Sequence, residues 1–107
     1  MKQYTTPDQT AKLIELGFEK PKASHSYWRG NELVININYS IGELIEMLPK
    51  VVESEDSEYA TLQMYFDVFN WVIEYTGVEE TQYATSAVEL IDALYEMIIK
   101  LKEEKII

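Results

Sequence analysis

Apolar residues along this chain change their spacing several times, and each change marks an element. Over residues 7–16, Ala11, Leu13, Ile14 and Leu16 supply the apolar surface of a first helix. Thr6-Pro7-Asp8-Gln9 opens it: Thr caps free amides, Pro is tolerated at the first helical position, and Gln three residues after Thr closes a capping box. Gly17 stands where a left-handed carboxyl cap ends a helix, so Phe18 is expected to fold back onto it. A connection over 19–24 leads into SYWRGNELVINI, where alternation around Gly30-Asn31 predicts a short hairpin from strands at 25–29 and 33–38. That turn sets Arg29 opposite Glu32 and Trp28 opposite Leu33, pairing unlike charges and large apolar groups.

Ser40-Ile41-Gly42-Glu43 is a second capping box, and Ile41, Leu44, Ile45 and Leu48 share one face of a short helix that Pro49 stops. ESEDSE at 53–58 reads as an acidic loop. Beyond it Leu62, Met64 and Phe66 alternate with Thr61, Gln63 and Tyr65, and Trp71, Ile73 and Tyr75 alternate with Val72 and Glu74. Two strands joined through 67–70 pair Phe66 with Trp71, Met64 with Ile73 and Leu62 with Tyr75. Every apolar partner then lands on one face, an agreement that a slip of one residue destroys. A third strand is expected at 81–85. A third capping box, Ser86-Ala87-Val88-Glu89, predicts the last and longest helix, from there to about Glu104.

In that helix Glu89, Asp92, Glu96, Lys100 and Glu103 make a polar stripe, and Leu90, Ile91, Leu94, Tyr95, Met97, Ile98, Ile99 and Leu101 cover most of the remainder. So wide an apolar arc suggests burial against a sheet and against a second chain, a homodimer through the carboxyl-terminal helix. The fold class expected is therefore α+β: three helices and a small antiparallel sheet in the order α-β(β)-α-ββ(β)-α, forming one domain over 1–107. At 107 residues, 47% apolar and 13 of them aromatic, the chain has material for one core and no room for two.

Charge narrows the function classes. The formal net charge is -10, which argues against direct nucleic-acid binding because phosphate-neutralising patches are missing. The imbalance is local: residues 51–99 hold eleven acids and no Lys or Arg, whereas residues 1–50 hold six of each. The ordinary reading is a solvated surface that keeps the domain in solution. The sharper reading is a negative face for a basic protein partner, including a DNA mimic that competes with phosphates for a nucleic-acid-handling enzyme. Lys100, Lys102 and Lys105 fall where cations favour a helix carboxyl end.

TTPDQTAKLIELGFEKPK at 5–22, YSIGELIEMLPK at 39–50 and ELIDALYEMIIKLKEE at 89–104 resemble blocks in a group of uncharacterised small proteins from gut Bacteroides-type bacteria and their prophages or mobile elements. The three blocks cover 46 of 107 residues. The resemblance implies no activity, cofactor or catalytic residue. Specificity within such a group would lie in the stretches between blocks, 23–38 and 51–88.

Catalytic chemistry finds little material. There is no cysteine, which removes disulfides, thiolate nucleophiles and iron-sulfur clusters. His25, between Ser24 and Ser26, is the single histidine. Neighbours on a strand point to opposite faces, so it reads as an exposed loop residue rather than as the base of a Ser-His pair, and a zinc site is not expected. Glu53, Glu55, Asp56 and Glu58 offer oxygens for calcium but lack the glycine and spacing of an EF-hand loop. Nineteen acids allow many carboxylate pairs, yet none is marked for glycoside chemistry. No phosphate loop, dinucleotide fingerprint or nucleophile elbow is present, and no cofactor is expected.

One surface suits a protein contact. Tyr65 and Val72 share the second hairpin face, and with turn residues Val68 and Phe69 they form an apolar patch rimmed by Gln63, Asp67 and Glu74. Coverage by the last helix or another layer is the more ordinary expectation for that face. Partner contacts are thus assigned to Glu53, Glu55, Asp56, Glu58, Tyr65, Val68, Phe69 and Val72. No run approaches the roughly 18 apolar residues of a membrane span, and the first ten residues lack the apolar stretch of a secretory signal, so a cytoplasmic protein with no membrane contact is expected. Three function classes follow: a non-catalytic protein acting through protein contacts, a DNA-mimic inhibitor, and a small enzyme of unrecognised type.

Overall fold

The computed structural model describes residues 1–22, 24–53, 58–77 and 81–107. Helix α1 spans Pro7–Glu15, strands β1 (Ser24–Arg29) and β2 (Glu32–Ile37) form a ribbon of their own, and α2 spans Ile41–Met47. An antiparallel meander follows, β3 (Val51–Glu53), β4 (Tyr59–Asp67), β5 (Asn70–Thr76) and β6 (Thr81–Ala87), and α3 (Leu90–Glu103) completes the chain. The α+β order read from the sequence holds, with two sheets in place of one. The strand not anticipated is β3, whose three residues are too few to show a period.

Two of the three capping boxes form. The Gln9 amide donates to Thr6 Oγ1 at 3.2 Å while the Thr6 amide donates to Gln9 Oε1 at 2.9 Å. Ser40 and Glu43 exchange the same pair of bonds at 3.1 and 3.2 Å. At the end of α1, Gly17 adopts φ +100°, and Gly17 and Phe18 amides donate to the Ile14 and Leu13 carbonyls at 3.0 and 3.2 Å, which is a Schellman cap. The third box does not form. Ser86 and Ala87 pair with Val72 and Trp71 in the β5–β6 ladder, so α3 begins at Leu90 with Glu89 as an N-cap whose side chain makes no capping bond. The Glu89 carboxylate instead accepts the Lys2 amide at 2.8 Å. Sheet pairing outcompeted a single cap.

Both hairpin registers are those expected. Trp28 faces Leu33 and Arg29 faces Glu32 in the ribbon, and β4 and β5 set Phe66 against Trp71, Met64 against Ile73 and Leu62 against Tyr75. The core lies between the meander and the helices. Leu44, Leu48, Val52, Ile73 and Tyr75 meet Ile91, Leu94, Met97, Ile98 and Leu101 of α3, all of them buried. The remaining large apolar residues of α3, Leu90, Tyr95 and Ile99, are half-buried against the same core.

Helix α1 is fastened to α3 by Gln9 Nε2 donating to Asp92 Oδ1 at 2.9 Å and by Lys102 Nζ lying 5.4 Å from the Phe18 ring centre. Lys2 Nζ reaches the same Asp92 oxygen at 2.8 Å. Burial raises the Asp92 carboxyl's pKa, but the hydrogen bonds from Lys2 and Gln9 and the Lys2 charge outweigh it and hold the pKa below the ordinary value. A buried chain of side chains closes the base of the ribbon. Thr10 Oγ1 donates to Asn38 Oδ1, which leaves the Thr5 hydroxyl to donate to Thr10 at 2.7 Å and to accept the Tyr39 amide at 3.0 Å. No pattern in the sequence links Thr5, Thr10 and Asn38, since their spacing is set by tertiary structure. Among the described residues, no helix is long and apolar enough to cross a membrane.

Candidate functional site

The helix layer takes one face of the meander and leaves the other bare. Thr85 Oγ1 donates to the Ala93 carbonyl at 2.9 Å, which places α3 on the face of Ile73, Thr85 and Tyr75. Tyr65 and Val72, directly paired, lie on the opposite face, where Tyr65, Ala84 and Ser86 are exposed and Val72 is half-buried. The expectation that a second layer would cover them is not met. Tyr65 is exposed, with its hydroxyl 3.5 Å from Glu74 Oε2. Lost hydration, then the Glu74 charge and hydrogen bond, then Asp67, raise its pKa above the ordinary tyrosine value.

The connection between β4 and β5 is unusual in its chemistry. Val68 and Phe69 form a two-residue turn closed by the Asp67–Asn70 pair. Val68 has φ +38°, in the left-handed region where a β-branched residue is strained, and the Phe69 amide folds back to the Asp67 carbonyl. Both side chains stand in solvent, at 73% and 78% exposure. The ribbon supplies a comparison within the same molecule. Its two-residue turn, Gly30-Asn31, has φ +62° at the first position and uses Gly there, as a type II′ hairpin demands. The meander turn places Val and Phe where the ribbon has Gly and Asn.

Behind the turn, Phe66 and Trp71 stack with ring centres 5.4 Å apart and planes tilted by 59°. Of the residues assigned from the sequence, Tyr65 and Val72 pair across the ladder, and Val68 and Phe69 form the turn at the same end of the hairpin. The acidic members lie elsewhere. Glu53 ends β3 and Glu58 precedes β4, both exposed, at the opposite end of β4 from the turn. Eight residues of extended strand separate Tyr59 from Asp67, roughly 26 Å. Glu55 and Asp56 lie outside the described residues.

A second apolar surface escaped the sequence reading. In the ribbon, Trp28, Leu33, Ile35 and Ile37 share one face by register and are all exposed, Trp28 at 71% and Ile35 at 61%. The signal was present in the pairing of Trp28 with Leu33; what could not be read was how far these side chains remain exposed. His25 sits in β1 opposite Asn36 rather than in a loop.

A solvent-open depression of about 550 Å³ is lined by residues including Phe18, Glu19, Lys22, Tyr39 and Glu43. Its polar groups hold the 19–22 connection to α2: the Lys22 amide donates to Glu43 Oε2 at 2.9 Å, and the Tyr39 hydroxyl donates to the Glu19 carbonyl. Burial, with the charges of Glu43 and Glu19, raises the Tyr39 pKa and keeps that hydroxyl protonated. Among the described residues no three His, Asp or Glu side chains come together as metal ligands. No protein family, curated protein or solved structure matches the chain.

Proposed function

We propose that this protein is a non-catalytic module that acts through protein contacts, with the end of the β4–β5 hairpin as its contact surface. One observation carries the reading: Val68 and Phe69 are exposed apolar residues in a turn whose counterpart in the same molecule uses Gly-Asn. Left-handed backbone costs a β-branched residue about 1–2 kcal/mol, and exposed Phe gains nothing from folding the free chain. Strain retained against a cheaper alternative points to a use for the side chains. The shape supports this, since a projecting turn with aromatic and aliphatic tips can fill pockets on a partner while Asp67 and Glu74 at the rim steer a basic surface.

The test grafts the ribbon's turn onto the meander. Val68→Gly with Phe69→Asn should leave the chain folded and about 1 kcal/mol more stable, while abolishing retention of a partner that the unaltered tagged protein captures from lysate of its native host. Capture of the same partner by both would overturn the reading. Salt and competing duplex DNA divide the remaining classes: release of a basic nucleic-acid-handling enzyme by both, together with loss of capture on Glu53→Lys and Glu58→Lys, would move the DNA-mimic reading to the front.

A further inference from the structure

We infer that the outer edge of β4 pairs with the same edge of a second copy of this chain, joining two meanders into one continuous antiparallel sheet. This goes beyond the contact reading of the tip and uses different atoms, the main-chain groups of Met64 and Phe66.

The edge is open because β3 is short. Strand β3 pairs only with Tyr59, Ala60 and Thr61, and the ladder's last bond runs from the Leu62 amide to the Lys50 carbonyl at 2.9 Å. The chain then leaves through Pro49, so, among the described residues, 63–67 have β5 on one side and no strand on the other. That Leu62 bond also fixes direction. Even-numbered residues of β4 aim their amides and carbonyls away from β5, so Met64 and Phe66 present a full set of unpaired donors and acceptors on the open side.

Open strand edges in monomeric proteins are normally blunted by Lys, Pro or a bulge. This one carries Gln63, Met64, Tyr65, Phe66 and Asp67 in unbroken register with β5, with Met64 and Phe66 at 40% and 57% exposure. The other sheet edge, β6, shows Thr81, Ala84 and Ser86 to solvent and offers little apolar gain.

The occupant follows from self-complementarity. With a two-fold axis at Tyr65, Met64 of one copy meets Phe66 of the other twice, and these residues carry the outward main-chain groups. Four hydrogen bonds can form, with Tyr65 beside Tyr65 and Gln63 beside Asp67, so no like charges oppose although each chain carries -10. The pairing fills 63–67, the length left free by β3. It also doubles the face that carries exposed Tyr65 and half-buried Val72.

The test is the mass in solution across a dilution series, by sedimentation or light scattering, with folding of every chain checked by circular dichroism. The unaltered protein should reach twice the chain mass. Met64→Lys with Phe66→Lys sets lysine opposite lysine in both central pairs and should yield a monomer. Met64→Lys with Phe66→Glu sets lysine opposite glutamate in both and should restore the dimer, the two dissociation constants differing by about tenfold or more. Val68→Gly with Phe69→Asn should remain dimeric, so loss of partner capture and loss of self-pairing are read separately. A monomer at every concentration, or equal dissociation constants for the two charged pairs, would overturn the inference. So would a dimer lost in the turn graft while the charged pairs have no effect.

Discussion

At Lys105 the backbone turns left-handed, with φ +59°. The Lys105 amide donates to the Lys102 carbonyl at 3.1 Å and the Ile106 amide to the Leu101 carbonyl at 2.8 Å, a Schellman cap like the one Gly17 makes for α1. Ile106 then packs on the core, as the residue after such a cap commonly does. The position suits Gly, and Lys there accepts backbone strain in exchange for a cation near the last carbonyls of α3. Substituting Ala removes the charge and keeps the strain, whereas Gly removes both. The Lys105→Gly chain should therefore exceed the Lys105→Ala chain by about 1 kcal/mol in urea unfolding; equal midpoints would show that the left-handed turn costs nothing. Val68 is the same problem with a different offset, because it gains neither a charge interaction nor burial within the chain.

Elements compete for residues, and Tyr75 shows how one side chain joins three of them. Its ring is buried between the meander and α3, and its hydroxyl donates to the Pro49 carbonyl at 2.6 Å, tying β5 to the exit of α2. Burial pushes its pKa from 10.0 to about 12. Since the folded value lies above the unfolded one, its contribution is fully present below pH 10.0 and lost as pH rises towards about 12. Thermal unfolding should show a fall in melting temperature across that window that is shallower in Tyr75→Phe; the same slope in both would assign the fall to other groups. The pairing of Tyr75 with Leu62 was legible because alternation and turn length fix hairpin register locally. Caps at Thr6 and Ser40 were legible for the same reason. The start of α3 was not, since Ser86 had to choose between a helix cap and a ladder with β5 that depends on residues 14 positions earlier. The tip was legible as a turn between two paired strands, but its distance from Glu53 and Glu58 depended on which end of β4 each turn occupies.

At the scale of the molecule, the body is elongated. The extents are 58 × 33 × 17 Å and the radius of gyration is 15.5 Å, against about 13 Å for a compact domain of this length. The helices and meander hold the buried residues, while the ribbon is anchored at its base by Thr5, Thr10 and Asn38 and exposes an apolar face along its length. A two-stranded ribbon is marginal by itself. Stability should therefore be uneven. Leu94→Ala, which empties a fully buried site on α3, should cost about 2–5 kcal/mol, whereas Ile35→Ala on the ribbon should change stability by less than about 0.5 kcal/mol. Hydrogen exchange should agree, with β5 amides opening only on global unfolding and β1 and β2 amides opening locally at much lower free energy. Protection of the ribbon equal to that of β5, with a large loss on Ile35→Ala, would mean that its apolar face is covered in solution. That face would then be the next place to seek the chain's partner.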